Sequence, residues 1–164
     1  MVNETAAQLA AGIRAALAEL ESVCAEVTED VAGRAPAGRW SPKEILSHLA
    51  GPEEGGPKLF EAFVTEDTPR LDLAPERTHF SEARRAMSFA ELTRLMARRF
   101  DGLAAYVAGL DEAQLARRAF VPVFKNSPLT DHPTLAAFLG KLGRDHVRMH
   151  ADHLRQVLAE LAAN

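Results

Sequence analysis

The chain has 164 residues, 47% of them hydrophobic and 26% charged, and its 19 basic against 23 acidic side chains leave a net charge of −4 with the six histidines neutral. That length and balance suit one globular domain over residues 1–164, and they exclude the basic surface that general nucleic-acid binding calls for. Cys24 is the sole cysteine, so an intramolecular disulfide and a four-thiolate metal site are excluded and a reducing, cytoplasmic setting is expected. No basic run leads into an apolar stretch at the start, and no window approaches the roughly 18 consecutive apolar residues of a membrane span, so neither secretion nor membrane insertion is expected.

Alanine and leucine far outnumber valine and isoleucine, which favours helix over strand throughout. The first segment, residues 4–29, repeats Leu9, Ile13, Ala16, Leu17, Leu20, Val23, Cys24 and Val27 at the three-and-four spacing of one buried helix face. Cys24 lies in that stripe and reads as a small buried hydrophobe, because nothing cationic beside it would lower its pKa. Gly33, Pro36 and Gly38 then predict a loop over residues 31–39. A second helix starts firmly: Ser41 is the N-cap, Pro42 the first helical residue, Glu44 completes a capping box, and Trp40 can pack on Ile45 as a staple. Ile45, His48 and Leu49 share one side of it. Gly51-Pro52 breaks it close to His48, and residues 57–64 read as helical again.

Residues 65–79, punctuated by Pro69 and Pro75, are long enough to cross a bundle from end to end. A third helix is predicted from Ser88, with Glu91 closing a capping box, through Leu92, Leu95, Met96, Phe100, Leu103, Tyr106 and Val107 to Gly109. A short helical turn follows at residues 111–118. Residues 119–133 read as a proline-containing loop whose Phe120, Val121, Val123 and Phe124 cover one end of the core. The last helix starts at Thr134 and runs to the C-terminus with Leu135, Phe138, Leu139, Leu142, Met149, Val157 and Leu161 on its apolar face. Four long helices with a long crossover predict an all-α four-helix bundle.

Taking Leu142 as zero at 100° per residue, His146 falls at about 40°, His150 at about 80° and His153 at about 20°, the direction of the core leucines. Imidazoles in an apolar stripe need hydrogen-bond partners or a metal. The four-residue spacing of His146 and His150 lets both reach one ion, and His150 with His153 is a sterically acceptable alternative pair. His48, on the inner side of its own helix, is the candidate third ligand. Three neutral imidazoles with a position left open are the form of a catalytic divalent site, and zinc, nickel, manganese and iron all suit such donors. No Glu follows the first His, so this is not a His-Glu-x-x-His protease motif.

The run Arg39-Trp40-Ser41-Pro42-Lys43-Glu44-Ile45-Leu46-Ser47-His48-Leu49, with Thr134-Leu135 and Asp145-His146-Val147-Arg148-Met149-His150-Ala151-Asp152-His153-Leu154, resembles the DinB/YfiT-like metalloenzyme superfamily. The resemblance implies an up-down-down-up four-helix bundle, often dimeric, with a divalent metal held by His48, His146 and His150. It puts His153 beside the ligands or among them as a spare. It further implies a small-molecule substrate and either low-molecular-weight thiol S-transfer, with a thiol such as bacillithiol or mycothiol as cosubstrate, or a related hydrolysis, with zinc or nickel the leading metals. The sequence departs from the family where residues 51–57 interrupt the second helix after His48.

General-base candidates are Glu53 and Glu54, just after His48, and His153. Asp145 and Asp152 point away from the ligand face and are expected at the surface. His79 and His132 sit in proline-containing loops and are expected to face solvent. Arg84-Arg85 and Arg98-Arg99 are basic pairs whose default is a solvated face. Phe80, Phe120 and Phe124 would serve equally as pocket wall or core. The contrasting expectation is a non-catalytic metal-binding bundle, or a dimeric stress-response protein with no turnover.

Overall fold

A computed structural model describes residues 4–54 and 57–164; Gly55 and Gly56, part of the predicted break, lie outside the described residues, as do residues 1–3. The four helices of the bundle are α1 (Ala6–Cys24), α3 (Pro42–Ala50), α6 (Phe89–Ala108) and α9 (His146–Ala163). Between them lie the shorter α2 (Glu29–Ala32), α4 (Lys58–Thr65), α5 (Glu82–Ala86), α7 (Glu112–Leu115) and α8 (Leu135–Leu139). No strand occurs among the described residues, and no helix there is long and apolar enough to cross a membrane.

α1 packs on α6 and α9, and α3 packs on the same two helices from the opposite corner. Side chains that span the corners give the directions. Glu4 meets Arg144 near the start of both α1 and the last helix, so these two run parallel. The Phe89 and Ala90 amides at the start of α6 donate to Glu29, just beyond the end of α1, so α6 runs back. Lys43 near the start of α3 donates to the Met87 carbonyl just before α6, making those two parallel, and Arg39 before α3 reaches Gln156 near the end of α9. The bundle is therefore up-down-down-up. Its core is continuous from Leu9, Ile13 and Leu20 through Ile45, Leu92 and Met96 to Phe138 and Leu154.

Helix starts obey the local chemistry of the sequence. Ser41 and Ser88 each accept from the backbone N–H three residues on, and Glu44 and Glu91 close the boxes. Thr134 caps α8 in the same way. Three features differ from expectation. α1 stops at Cys24 and a separate turn, α2, follows within the stretch predicted as helix and loop, because Glu29 is needed to satisfy the orphan N–H groups of α6. α5, capped by Ser81, lies between the crossover and α6. The last helix is interrupted by a π segment, Gly140–Asp145, between α8 and α9.

The π segment explains where periodicity misplaced side chains. Each π turn takes in an extra residue, so the phase beyond it slips by about one position. Met149, assigned to the apolar face by an uninterrupted 100° step, is 54% exposed, and Val147, Ala151 and Leu154 are buried instead. Gly143 lets the last helix press on α1: a Cβ there would lie 3.1 Å from Ile13 Cδ1 and Cγ1. The two long connections hydrogen-bond to each other at one end, Leu71 N–H donating to the Phe120 carbonyl and Phe120 N–H to Pro69, both at 2.8 Å. Phe124 packs on Phe138 of the core, whereas Phe120 stacks on His132 with Arg70 over its face.

Gly143→Val should force branched carbons into Ile13 and lower stability by about 1–3 kcal/mol, the usual cost of overpacking, read as a fall in the urea midpoint at unchanged slope. A midpoint equal to that of the unaltered chain would mean the α1 contact has slack.

Candidate metal centre

His48 sits in the last turn of α3 and His146 and His150 in the first turns of α9. Because α3 and α9 are antiparallel, the end of the one lies beside the start of the other and residues about a hundred positions apart in the chain meet. The ring nitrogens of His48, His146 and His150 lie within 4.8 Å of one another. His48 Nε2 is 3.2 Å from His146 Nε2, and His150 Nε2 is 3.1 Å from the same atom. His150 is only 5% exposed, and His48 and His146 are half-buried.

The protonation pattern follows from the outer contacts. His48 Nδ1 lies 2.6 Å from the Arg77 carbonyl oxygen, an acceptor that requires an N–H. The neutral ring then presents a bare lone pair at Nε2, toward His146. His150 Nδ1 is 3.3 Å from His153 Nδ1, and with the proton of that contact on His150 the Nε2 lone pair of His150 is free as well. One N–H on His146 Nε2 can serve one of its two neighbours, not both. A cation in place of that proton would satisfy all three nitrogens together. Nitrogens held about 2.0–2.1 Å from a tetrahedral ion stand about 3.3 Å apart, close to the two contacts made by His146 Nε2.

Burial pushes His146 down to about 4, with the neighbouring His48 and Lys141 adding to the effect. It pushes His150 down to about 3, with His146, His48 and His153 adding. Both rings are neutral near pH 7, the form that ligates a metal. Trp40 forms a wall beside them. Its ring stacks on His150 at 6.0 Å and 12°, and lies 4.9 Å from His48 and 5.9 Å from His153. The expected staple role understates Trp40, whose aromatic neighbours are the histidines.

The DinB superfamily model matches residues 12–161. The chain belongs to the DinB superfamily. A solved structure, YfiT from Bacillus subtilis, described as "a probable metal-dependent hydrolase with an unusual four-helix bundle topology", is similar to this chain with a TM-score of 0.78 at 17% identity. The match covers 99% of this chain and 90% of that one, and at that identity it shows the shared fold. No curated protein matches the sequence.

The remaining candidates of this DinB-superfamily chain fall in different places. His153 contacts His150 and Trp40 from outside the triad. Glu53 is exposed; its carboxylate accepts from the Ser81 hydroxyl, and none of its hydrogen bonds goes to a histidine. Glu54 is exposed as well. Asp145 and Asp152 pair with Arg144 and Arg155 at the surface, as expected. His132 pairs with Asp131. His79 is half-buried rather than solvent-facing, and burial, with Arg84 and His48 adding, lowers its pKa.

Each basic pair sends one member inward, against the solvated-face default. Arg84 is 2% exposed and donates from Nη1 to the Ser47 carbonyl at 3.0 Å, the Ser47 hydroxyl at 3.1 Å and the His79 carbonyl at 3.4 Å. Arg99 donates to the Ala50, Pro52 and Glu53 carbonyls, capping the end of α3 where Gly51 turns the chain at φ +73°. The helix break after His48 is thus held by Arg99. A run of two arginines carries no sign of which one turns inward, so only the packed structure reveals this.

Because His146 and His150 titrate below the ordinary 6.5 when folded, the unfolded chain takes up protons first. The stability due to their neutral burial is fully present above about pH 6.5 and is lost as pH falls toward 4 and then 3. The chelator-treated protein should therefore lose melting temperature between pH 6.5 and 4, and His150→Gln should flatten that fall. Parallel melting curves for the two proteins across this range would remove His150 as the source.

Proposed function

We propose that this chain is a divalent-metal-dependent enzyme acting on a small molecule, with His48, His146 and His150 as the ligands. The observation that carries the reading is the meeting of three ring nitrogens from opposite ends of the chain, with the His48 proton committed to the Arg77 carbonyl. The donors fit the group: imidazoles suit zinc, nickel and iron, whereas manganese prefers oxygen donors. When bound, such an ion supplies a positive charge, undiminished by any anionic ligand in the triad, that makes a water or a thiol acidic near neutral pH.

The chain's own residues supply the rest. Trp40 screens one side of the His150 ring from water and fixes its plane. His153, in contact with His150, is placed to hold or pass a proton, and Glu53, steadied by Ser81, is the carboxylate candidate for the same task. The all-neutral triad favours a soft anionic partner, which supports low-molecular-weight thiol S-transfer. The description of YfiT as a probable metal-dependent hydrolase supports the related reading, hydrolysis. A cytoplasmic setting, in keeping with one buried free thiol, and a homodimer belong to the same proposal.

Protein purified without a histidine tag should contain about one equivalent of a first-row divalent metal, and His146→Ala should lose the metal and the turnover together. Assays pairing bacillithiol, mycothiol or glutathione with a chromogenic electrophile, beside a panel of chromogenic esters, separate transfer from hydrolysis. Full metal content with no turnover in either panel would leave a non-catalytic metal-binding bundle.

A further inference from the structure

The crossover between α4 and α5 has no helix of its own, yet it supplies the carbonyl that orients His48. Little within the crossover holds it there. Around that carbonyl, Arg77 N–H donates to Ala74 and Ser81 N–H to His79, both at 3.0 Å, and His79 takes a left-handed backbone at φ +52°, uncommon for residues other than glycine. What ties this turn to α3 is the Arg84 guanidinium, whose Nη1 reaches the His79 carbonyl on one side and both oxygens of Ser47 on the other. Ser47 is the residue before His48. Arg84 thus bridges the two backbone stretches whose relative position sets the distance between His48 Nδ1 and the Arg77 carbonyl.

Burying a guanidinium at 2% exposure, with Nη2 lacking a partner, is unfavourable for the fold taken alone. Arg99 lies near enough to add like-charge repulsion, only partly offset by Glu53. A neutral side chain would fill the space without that cost, but it could not bridge three oxygens.

We propose that Arg84 is a positioning residue for the metal centre: by clamping the crossover turn to α3 it keeps the proton on His48 Nδ1 and the Nε2 lone pair directed at His146 and His150. The part concerning metal affinity rests on the function proposed above; the part concerning the tautomer does not. Outer partners of ligating histidines typically change metal affinity about 10- to 100-fold when removed.

The test begins with nitrogen-15 NMR of the histidine rings in the chelator-treated, unaltered chain at pH 7.5. His48 should appear as the single Nδ1–H tautomer, and an Nε2–H form or an even mixture overturns the proposal. Arg84→Met fills the space but supplies no donor to either stretch. It should give a tautomer mixture at His48 and zinc binding weakened about tenfold or more, measured by competition with a chromogenic chelator. Ser47→Ala removes one acceptor of the clamp from inside a helix with little risk to folding, and should move both readings the same way by less. A tautomer unchanged in both variants refutes the clamp. Zinc binding by the unaltered chain that is no tighter than by His48→Ala refutes the metal reading instead, leaving the tautomer result to stand or fall by itself.

Discussion

Three neutral imidazole nitrogens brought within 4.8 Å of each other inside a packed seam are the constraint on which the local architecture turns. Lone pairs at that distance repel unless a proton or a cation lies between them. Burial has made protons costly on His146 and His150, whose rings would have to carry their charge away from water. As an ordinary piece of core such an arrangement is unfavourable. Trp40 on one flank and His153 beyond it complete a surface whose polar atoms converge and whose walls are aromatic.

The bundle's topology produces that seam. α3 is short, and only its last turn reaches the level where α9 begins. Antiparallel packing of these helices places His48 opposite His146, and the parallel pairing of α1 with the last helix holds the latter against the core through the close approach at Gly143. The π segment immediately before His146 turns the following face by about one residue, so that the histidines line the edge beside α3 while Met149 faces outward. The irregularity of the last helix and the position of its histidines share a single backbone cause.

Charge is distributed with equal consequence. The cluster itself holds no carboxylate, and the acidic groups nearest in sequence, Asp145 and Asp152, are engaged by arginines at the surface. Arg99 uses its guanidinium on backbone carbonyls, compensating the helix end that Gly51-Pro52 leaves open. A helix that stops early near a functional side chain loses rigidity unless its free carbonyls are met, and here a side chain from α6 meets them. Membership of the DinB superfamily accords with the bundle, while the arginine bracing of an interrupted α3 is read from this chain's own contacts.

Sequence alone determined what depends on neighbours along the chain. The capping boxes at Ser41 and Ser88, the Thr134 start, the glycine break after His48 and the four-residue spacing of His146 and His150 are local matters of hydrogen bonding and helical pitch, and the structure shows them where the residue pattern puts them. The early end of α1, the inward turn of Arg84 and Arg99, the contact of Trp40 with the histidines and the slip of phase at the π segment were decided only on packing. Each depends on a partner tens of residues away: Glu29 serves the amides of α6, Arg84 the Ser47 carbonyl of α3, Gly143 the side chain of Ile13. A one-dimensional pattern records which side chains could face inward, but the three-dimensional competition for buried hydrogen bonds and volume settles which of them do.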